Sequence, residues 1–343
     1  MVRESPNDPG YRDQLAVALF WFGYYVRQDR PQEAETALRR AWTIEEKLVT
    51  DFPSVPDYKL RLAACRAFLA LVLKASGRAN DALAMFGEAF PVFEQLVADF
   101  PDSAAYWWEL NEIYWRLQDM LLEDGRFQEA EKACRDCLAI MQKAPGNIRS
   151  VPRYRLVLGL NHHRLGEVLC EARRPQQAEK AYRQAMAIWA ELAAAYPTND
   201  EYRIWLANGH NNLAELYTTS PDEKYWNPAK AVQHARKAVE LHPLPGGCWN
   251  TLGIVYYRTG DWQAAVHALE KSVELRKGGD CYDWFFLAMA HWRLEHKDEA
   301  RKWYCQALTW MDKNKDQLSK NKPKVAQLSR FRTEASTLLE RQP

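Results

Sequence analysis

Seven short segments built around an alanine recur along the chain at regular spacing, and this periodicity constrains the fold more than any other feature. Glu33-Ala34-Glu35 and Glu129-Ala130-Glu131 are examples. The first four alanines lie 48 residues apart, and the later intervals are 53, 34 and 35 residues. Such self-similarity indicates one structural unit repeated along the chain. The alanines are Ala34, Ala82, Ala130, Ala178, Ala231, Ala265 and Ala300.

Turn signals precede most of these alanines. Gly77 and Gly125 suit the left-handed conformation that ends a helix, and Pro31 suits the first turn of a new helix. After each alanine, packing residues follow at +4 and +7, as Phe86 and Ala89 do in the second unit. This is the spacing of an amphipathic helix. The sequence therefore predicts that every unit is a helix, a short turn and a second helix.

Two adjacent units near the C-terminus, within residues 244–312, carry a recognisable motif. The motif residues are Trp249, Leu252, Gly253, Tyr256, Ala265, Leu269 and Ser272, then Trp284, Leu287, Ala288, His291, Ala300, Tyr304 and Ala307. The motif resembles the tetratricopeptide repeat, with His291 in place of the usual aromatic residue, and the resemblance covers about residues 10 to 312. The repeat lengths are also similar to long-repeat regions beside protein kinase domains in bacterial signalling proteins.

The resemblance implies an all-α fold, a right-handed α-α superhelix of about seven units with a C-terminal capping helix. Residues 8–243 would form five units, four with lengthened helices and the fifth with a loop insertion, and 244–312 two units of standard length. The longer units add seven residues to each helix, which is two helical turns to within ~20°. The buried stripes therefore keep their orientation.

Residues 313–343 are predicted to be a basic linker followed by a capping helix. The linker, rich in lysine from about Asp312, is interpreted as a solvated connector, with a phosphate-binding patch as the alternative. Solenoids need a cap over the apolar side of their last repeat. The apolar residues predicted to form that cap are Val325, Leu328, Phe331, Ala335 and Leu338.

Composition excludes several classes of protein. There are 46 Lys and Arg against 45 Asp and Glu, so no global charge favours nucleic acid. Seven scattered cysteines indicate reduced thiols and a cytoplasmic protein.

The longest apolar run, residues 15–26, is shorter than the ~20 residues of a membrane span. It is predicted to be a buried helix, with a signal or anchor segment as the alternative.

Motifs for catalysis are scarce. No phosphate-binding loop, dinucleotide fingerprint, zinc-protease or serine-hydrolase motif occurs, nor do the kinase His-Arg-Asp and Asp-Phe-Gly triplets. Cys134 and Cys137 form a CxxC, but a zinc site needs four ligands and no matching pair follows, so we interpret them as buried thiols. His163 and Glu167 share a helix face as an acid–base or ligand pair, or else as a polar pair lining a groove or a surface ion pair. We predict no catalytic residue, metal or cofactor.

The resemblance implies that the first helix of each unit lines the concave face. The residues that this face would expose include asparagines, whose amides can hold an extended peptide backbone, while Trp115 and Phe285 would supply apolar anchor pockets. The basic residues of a carboxylate clamp for chaperone C-termini are missing at Asn211, Asn250 and Phe285. The candidates are Trp115, Asp119, His163, Glu167, Asn208, Asn211, Glu215, Asn250 and Phe285.

Three functions follow from these observations. The first is a non-catalytic scaffold that binds a protein or peptide segment on the concave face. The second is a regulatory or sensory repeat region of a larger signalling protein, such as a bacterial serine/threonine kinase, since first-helix residues begin almost at Met1. The third is an enzyme that uses His163, Glu167 or the CxxC. The sequence leaves the partner's identity and the oligomeric state open.

Overall fold

The computed structural model describes residues 8–220, 223–319 and 322–340. Within these ranges the protein is an all-α repeat solenoid, without a β-strand. Helices that are consecutive in the chain and joined by short turns pack against each other as hairpins.

Seven helical hairpins account for most of the chain. The first three are α1 (Pro9–Val26) with α2 (Pro31–Asp51), α3 (Pro56–Ala75) with α4 (Ala79–Asp99), and α5 (Ala104–Glu123) with α6 (Phe127–Met141). After the short helix α7 (Gly146–Arg149) come α8 (Pro152–Glu171) with α9 (Pro175–Ala195) and α10 (Asp200–Thr219) with α11 (Pro228–Leu241). The last two are α12 (Gly246–Arg258) with α13 (Trp262–Leu275) and α14 (Cys281–Arg293) with α15 (Lys297–Lys313). The chain continues through α16 (Lys315–Ser319) to α17 (Lys322–Glu340).

Local sequence explains where these helices begin and end. Asp8 accepts hydrogen bonds from the backbone of the first turn of α1, and Asp280 forms a capping box with Asp283 at the start of α14. Gly77 ends α3 with φ of +78°, a conformation that costs glycine little. Arg173 adopts the same left-handed conformation, with φ of +57°, at the end of α8. These are the turns that the sequence predicts.

The seven repeat alanines are all buried, with at most 1% of their surface exposed. Each lies in the first turn of the second helix of its hairpin. A methyl group there lets the two helices approach closely, because a larger side chain would have to displace neighbours in a densely packed interior. The periodicity of the sequence is thus the periodicity of the helix–helix contacts.

Helix length differs between the early and the late hairpins. The second hairpin consists of α3 and α4, with 20 and 21 residues, whereas the sixth consists of α12 and α13, with 13 and 14. Each helix of the longer hairpin therefore has seven more residues. In the fifth hairpin, α10 has 20 residues and α11 has 14, and the chain between them includes a short 3-10 turn at Glu223–Tyr225.

Tryptophans near the starts of first helices make a recurrent hydrogen bond. The indole Nε1 of Trp107 donates to the carbonyl of Pro101 at 2.8 Å, and Trp249 makes the same bond with Pro243 at 2.8 Å. The Nε1 of Trp284 donates to Gly278 at 3.0 Å. Each acceptor lies six residues before its tryptophan, in the segment that connects two hairpins. The bond holds the connecting segment against the first helix of the next hairpin. This recurrent role accounts for some of the tryptophans in the sequence.

The described chain divides into two compact units. The first extends to Val151 and contains α1–α7, and the second begins at Pro152 and contains α8–α17. The division falls within the series of long repeats, and not at residue 243, where repeat length changes. The second unit has a buried cluster around Trp189 and another around Trp284 and Phe286, and α17 contributes Phe331 to the latter.

Candidate functional site

In the second compact unit, the first helices of the hairpins (α8, α10, α12 and α14) form one surface, which we call the first-helix face. Two predicted site residues, Trp115 and Asp119, lie instead on α5 in the first unit, where Trp115 is half-buried and Asp119 is exposed. The other seven lie on the first helices of the second unit: His163, Glu167, Asn208, Asn211, Glu215, Asn250 and Phe285.

Asn211, Glu215 and Thr251 form a polar group that connects α10 to α12. Asn211 Nδ2 donates to Glu215 Oε1 at 3.0 Å, and the hydroxyl of Thr251 donates to the same oxygen at 2.9 Å. Solvent reaches the Glu215 side chain, yet nearby protein displaces enough water to raise its pKa. Asn211 Oδ1 is buried and has no hydrogen-bond partner among the described residues. The group is therefore a polar cluster between α10 and α12 that leaves one acceptor unused.

His163 contacts Asn212 and not its predicted partner, Glu167. Only 9% of its surface is exposed, and its Nε2 lies 2.8 Å from the amide nitrogen of Asn212. Because that nitrogen donates, Nε2 accepts and carries no proton, in agreement with the burial that lowers the pKa of His163. The distance from His163 Nδ1 to Glu167 Oε1 is 3.8 Å, too long for a hydrogen bond. His163 therefore positions Asn212 on α10, and the sequence analysis missed this asparagine.

Asn250 belongs to a buried network between α12 and α14. Its Nδ2 donates to Asp283 Oδ1 at 2.7 Å, and Asp283 also accepts from the backbone of Asp280 and pairs with Arg276. The amide of Asn250 thus donates to the buried carboxylate of Asp283, whose burial without hydrogen-bond partners would cost free energy. Asn208 and Asn211 are both half-buried on α10, and the amide of Asn211 donates to Glu215 through Nδ2 while its Oδ1 is buried.

The prediction that Phe285 provides an anchor pocket is wrong. Phe285 is fully buried, and its ring centroid lies 6.1 Å from that of Tyr304 on α15. The residues of α14 that face away from α15 are Tyr282 and Phe286, which contact Phe331 of α17. One residue along a helix rotates the side chain by about 100°, so Phe285 and Phe286 face different neighbours, and both are buried.

The C-terminal helix buries the apolar side that its sequence predicts. Leu328, Phe331 and Ala335 are buried, while Val325 and Leu338 are partly buried. However, α17 packs principally along α14 and not along α15. It therefore covers part of the first-helix face instead of extending the stack of hairpins.

The CxxC lies on α6 in the first unit. Cys134 and Cys137 are both buried as free thiols, as predicted, and Cys137 Sγ lies 3.7 Å from Asn111 Oδ1. Burial raises the pKa of Cys137 far above its ordinary value, which disfavours the thiolate. Across the described parts of the chain, no three histidine, cysteine or acidic side chains converge as metal ligands.

Comparison with protein families supports the repeat assignment directly. Tetratricopeptide repeat family models match residues 62–102, 246–278 and 284–313. The chain is a tetratricopeptide repeat protein. Two of the matched segments coincide with the short hairpins α12–α13 and α14–α15, and the third lies in the long hairpin α3–α4. No curated protein sequence matches this tetratricopeptide repeat protein significantly.

Solved structures show the same fold at low sequence identity. BtubC (BKLC) from P. vanneervenii is 19% identical, over 72% of this chain and 91% of that chain, with a TM-score of 0.55. A signal transduction ATPase with numerous domains and a tetratricopeptide repeat sensor, from Pyrococcus horikoshii, is 14% identical with a TM-score of 0.57. That match covers 91% of this chain but only 44% of the ATPase. The apo form of RapI is 12% identical, over 88% and 99% of the two chains, with a TM-score of 0.50.

None of the described helices combines the length and the apolar character that crossing a bilayer requires.

Proposed function

We propose that this tetratricopeptide repeat protein is a non-catalytic scaffold that binds a protein or peptide segment on its first-helix face. Tetratricopeptide repeats suggest protein interaction in general. The observation that carries the specific proposal is the pair of half-buried amides of Asn208 and Asn211 on α10, before the exposed Glu215, in which Asn211 Oδ1 is an acceptor without a hydrogen-bond partner among the described residues. An amide offers both a donor and an acceptor, so two of them can hold an extended backbone whatever its side chains.

The contacts of the other candidate groups favour binding over catalysis. His163 is held neutral by burial and contacts Asn212, and therefore lacks the exposed, titrating ring of a general base. The thiols of Cys134 and Cys137 are buried, which keeps them from a substrate. These contacts support the proposal that the protein binds its partner without making or breaking covalent bonds.

Charge and thiol chemistry support a protein partner in a reducing compartment. The net charge of +1 favours neither nucleic acid nor an acidic surface. All seven cysteines are free, as expected for the cytoplasm, where thiols remain reduced.

The amide pair can be tested by comparative capture. The protein and its Asn208→Ala plus Asn211→Ala variant are immobilised at equal density, and proteins bound from an extract are quantified by mass spectrometry. We expect at least one specifically bound protein to fall about tenfold on the variant, because each amide hydrogen bond contributes about 1 kcal/mol.

The matched control removes two amides from second helices. Gln233 on α11 and Gln263 on α13 are exposed, and replacing both by alanine leaves the first-helix face intact. Capture should be unchanged by this pair. Equal loss on both double variants, or no loss on either, would reject the assignment of the binding site to Asn208 and Asn211.

A second candidate function is that of a sensory repeat region within a larger signalling protein, including one with a serine/threonine kinase. It is favoured by the likeness to the signal transduction ATPase, a protein with a tetratricopeptide repeat sensor. The mass of the endogenous protein tests it. A species clearly larger than the 39.8 kDa of this chain supports a larger protein, and a species of that mass contradicts it.

A further inference from the structure

The position of α17 distinguishes it from the next helix of the stack. In the second unit, each first helix packs on the second helix of the preceding hairpin, as α14 does on α13. A further first helix would therefore pack on α15, yet α17 packs along α14. Tyr282 contacts Gln327 and Phe286 contacts Phe331, and both pairs are 45 residues apart in sequence. The equal offset means that α17 runs parallel to α14 across the first-helix face.

Phe331 is the apolar anchor of this contact. Its side chain is 1% exposed, and its ring packs edge-to-face on Phe286 with centroids 4.9 Å apart. Tyr282 contacts the other side of the same ring at 5.9 Å. Leu328 and Ala335, one turn before and after Phe331, are also fully buried. This spacing is that of an amphipathic helix seated in a groove.

Charged and polar contacts fix the register of α17. Arg258 at the C-terminal end of α12 pairs with Glu334 through two parallel hydrogen bonds, and its guanidinium lies 5.3 Å from the ring centroid of Phe286. Tyr282 donates its hydroxyl proton to Gln327 Oε1 at 3.0 Å. Towards α10, Arg330 Nη1 lies 3.5 Å from the carbonyl oxygen of Thr219. The groove is therefore built from α12 and α14, with a cation at one end.

The connection to α15 makes α17 a tethered ligand. Among the described residues the short helix α16 lies between α15 and α17, and the side chains of Lys313, Lys315 and Asp316 are exposed. A tether of this length gives a local concentration in the millimolar range. The opposite side of α17, which includes Arg332 and Thr333, is exposed. A helix held on one side only can open locally without unfolding the hairpins beneath it.

We propose that the groove between α12 and α14 is a receptor for an amphipathic helix, and that α17 is its resident, exchangeable occupant. The partner helix presents a leucine-like residue, a phenylalanine three positions later and a carboxylate three positions after that, as Leu328, Phe331 and Glu334 do. Partner binding displaces α17. This inference rests on the proposed scaffold function and adds the chemistry of the partner and its regulation.

A labelled peptide tests the groove directly. The full chain carrying Leu328→Ser plus Phe331→Ser retains the groove but weakens its occupant, and a fluorescein-labelled peptide of residues 322–340 with the native sequence serves as the probe. We expect this released variant to bind the peptide at least about tenfold more tightly than the unmodified chain, where α17 competes. Equal affinity for both proteins, or no binding to a released variant with normal helicity, would overturn the proposal.

Two controls address specificity. The full chain with Ala326→Ser plus Arg332→Ser changes only exposed positions of α17 and should bind the peptide as weakly as the unmodified chain. A peptide with Glu334→Arg should lose affinity for the released variant and regain it when the protein also carries Arg258→Glu. If this charge exchange did not restore binding, the pairing of Arg258 with the bound helix would be contradicted.

Hydrogen exchange of the unmodified chain keeps the inference testable if the released variant does not fold. Amides of α17 should exchange at least about tenfold faster than those of α12 and α14, because α17 opens locally. Equal exchange rates would make α17 a fixed part of the fold and overturn the proposal. Likewise, a dimer that the peptide dissociates would identify a second copy as the occupant and overturn the intramolecular assignment.

Partner capture separates this inference from the proposed function. A partner that the released variant captures more strongly supports both. A partner that depends on Asn208 and Asn211 but is captured equally with and without the release of α17 would leave the scaffold function standing and overturn displacement of α17.

Discussion

Arg258 on α12 and Glu334 on α17, 76 residues apart in sequence, form a bidentate ion pair in which Arg258 Nη2 lies 2.7 Å from Glu334 Oε2. The two side chains are 20% and 29% exposed, so solvent screens them less than most surface pairs. Bidentate geometry also makes arginine irreplaceable by lysine at this position. The pair is therefore the electrostatic link between the C-terminal helix and the first-helix face.

A double-mutant cycle should measure this link. Replacing Arg258 and Glu334 by alanine, singly and together, should give a coupling free energy of about 1 kcal/mol for the local opening of α17, measured by hydrogen exchange. Lys271 and Glu274 on α13 form a matched control, since they are 38% and 67% exposed. Their coupling should be a few tenths of a kcal/mol. Coupling for Arg258 and Glu334 no larger than in the control would contradict the link.

Glu45 should make the first unit less stable at neutral pH than at acidic pH. Only 1% of its surface is exposed, and burial raises its pKa from 4.5 to about 7, although Arg61 donates to Glu45 Oε1 at 3.1 Å. Asp13 nearby pairs with Arg61 as well and adds to the rise. The folded protein therefore keeps a proton that the unfolded chain loses, and the free energy of unfolding falls as pH rises from about 4.5 to about 7.

The expected loss across this interval is about 2–3 kcal/mol, since one pKa unit corresponds to about 1.4 kcal/mol. Glu45→Gln keeps the size and polarity of the side chain but removes its titration. Urea unfolding followed by circular dichroism at pH 5 and pH 8 should show the variant gaining stability relative to the unmodified protein at the higher pH. The same difference between the two proteins at both pH values would show that Glu45 does not titrate in this interval.

Close packing of α8 on α9 should make Gly159 intolerant of a side chain. A Cβ at Gly159 would lie 2.3 Å from Nε1 of Trp189, which is fully buried and faces the carbonyl of Leu156. Gly159→Ala should therefore lower the free energy of unfolding by about 2–3 kcal/mol. By contrast, Gly87 lies exposed within α4 with nothing within 4 Å of a new Cβ. Gly87→Ala should raise stability by about 0.5–1 kcal/mol.

Urea unfolding of the two alanine variants gives the comparison. The opposite signs matter more than the magnitudes, because helix propensity alone would favour alanine at both positions. If Gly159→Ala were as stable as Gly87→Ala, the close approach of Trp189 to α8 would be wrong.

The sequence could predict the features of the fold that depend on local periodicity. Ala82 and Ala265 are buried because helix pairs cross at the same place in each unit, and Gly77 ends a helix because of its backbone freedom. The apolar side of α17 could be predicted in the same way, because Leu328 and Phe331 follow helical spacing. These features are contained within one helix or one turn, and therefore need no knowledge of distant contacts.

The candidate site was less predictable because its contacts join different hairpins. The donor of Asn250 is used by Asp283, 33 residues later, and His163 contacts Asn212, 49 residues later. Phe285 and Phe286 are the same residue type, and the packing of α14 on α15 turns Phe285 towards Tyr304 and leaves Phe286 to contact α17. No local pattern shows that α17 returns along α14, since a cap on α15 has the same hydrophobic spacing.

The seven cysteines should differ sharply in reactivity. Cys305 is exposed, Cys170 is partly buried, and the other five are buried. Burial raises the pKa of Cys65 to about 12 and that of Cys248 to about 11, so both stay protonated at pH 8. Only the thiolate attacks a disulfide reagent.

With 5,5′-dithiobis(2-nitrobenzoic acid) at pH 8, the native protein should therefore release one equivalent of thionitrobenzoate rapidly and the remainder slowly. Cys305→Ser should abolish the rapid phase, whereas Cys134→Ala on α6 should leave it intact and lower only the slow amplitude. A rapid phase that survives Cys305→Ser would contradict the assignment of that phase to Cys305, and one that shrinks in Cys134→Ala would mean that the CxxC is accessible and that α6 does not bury it.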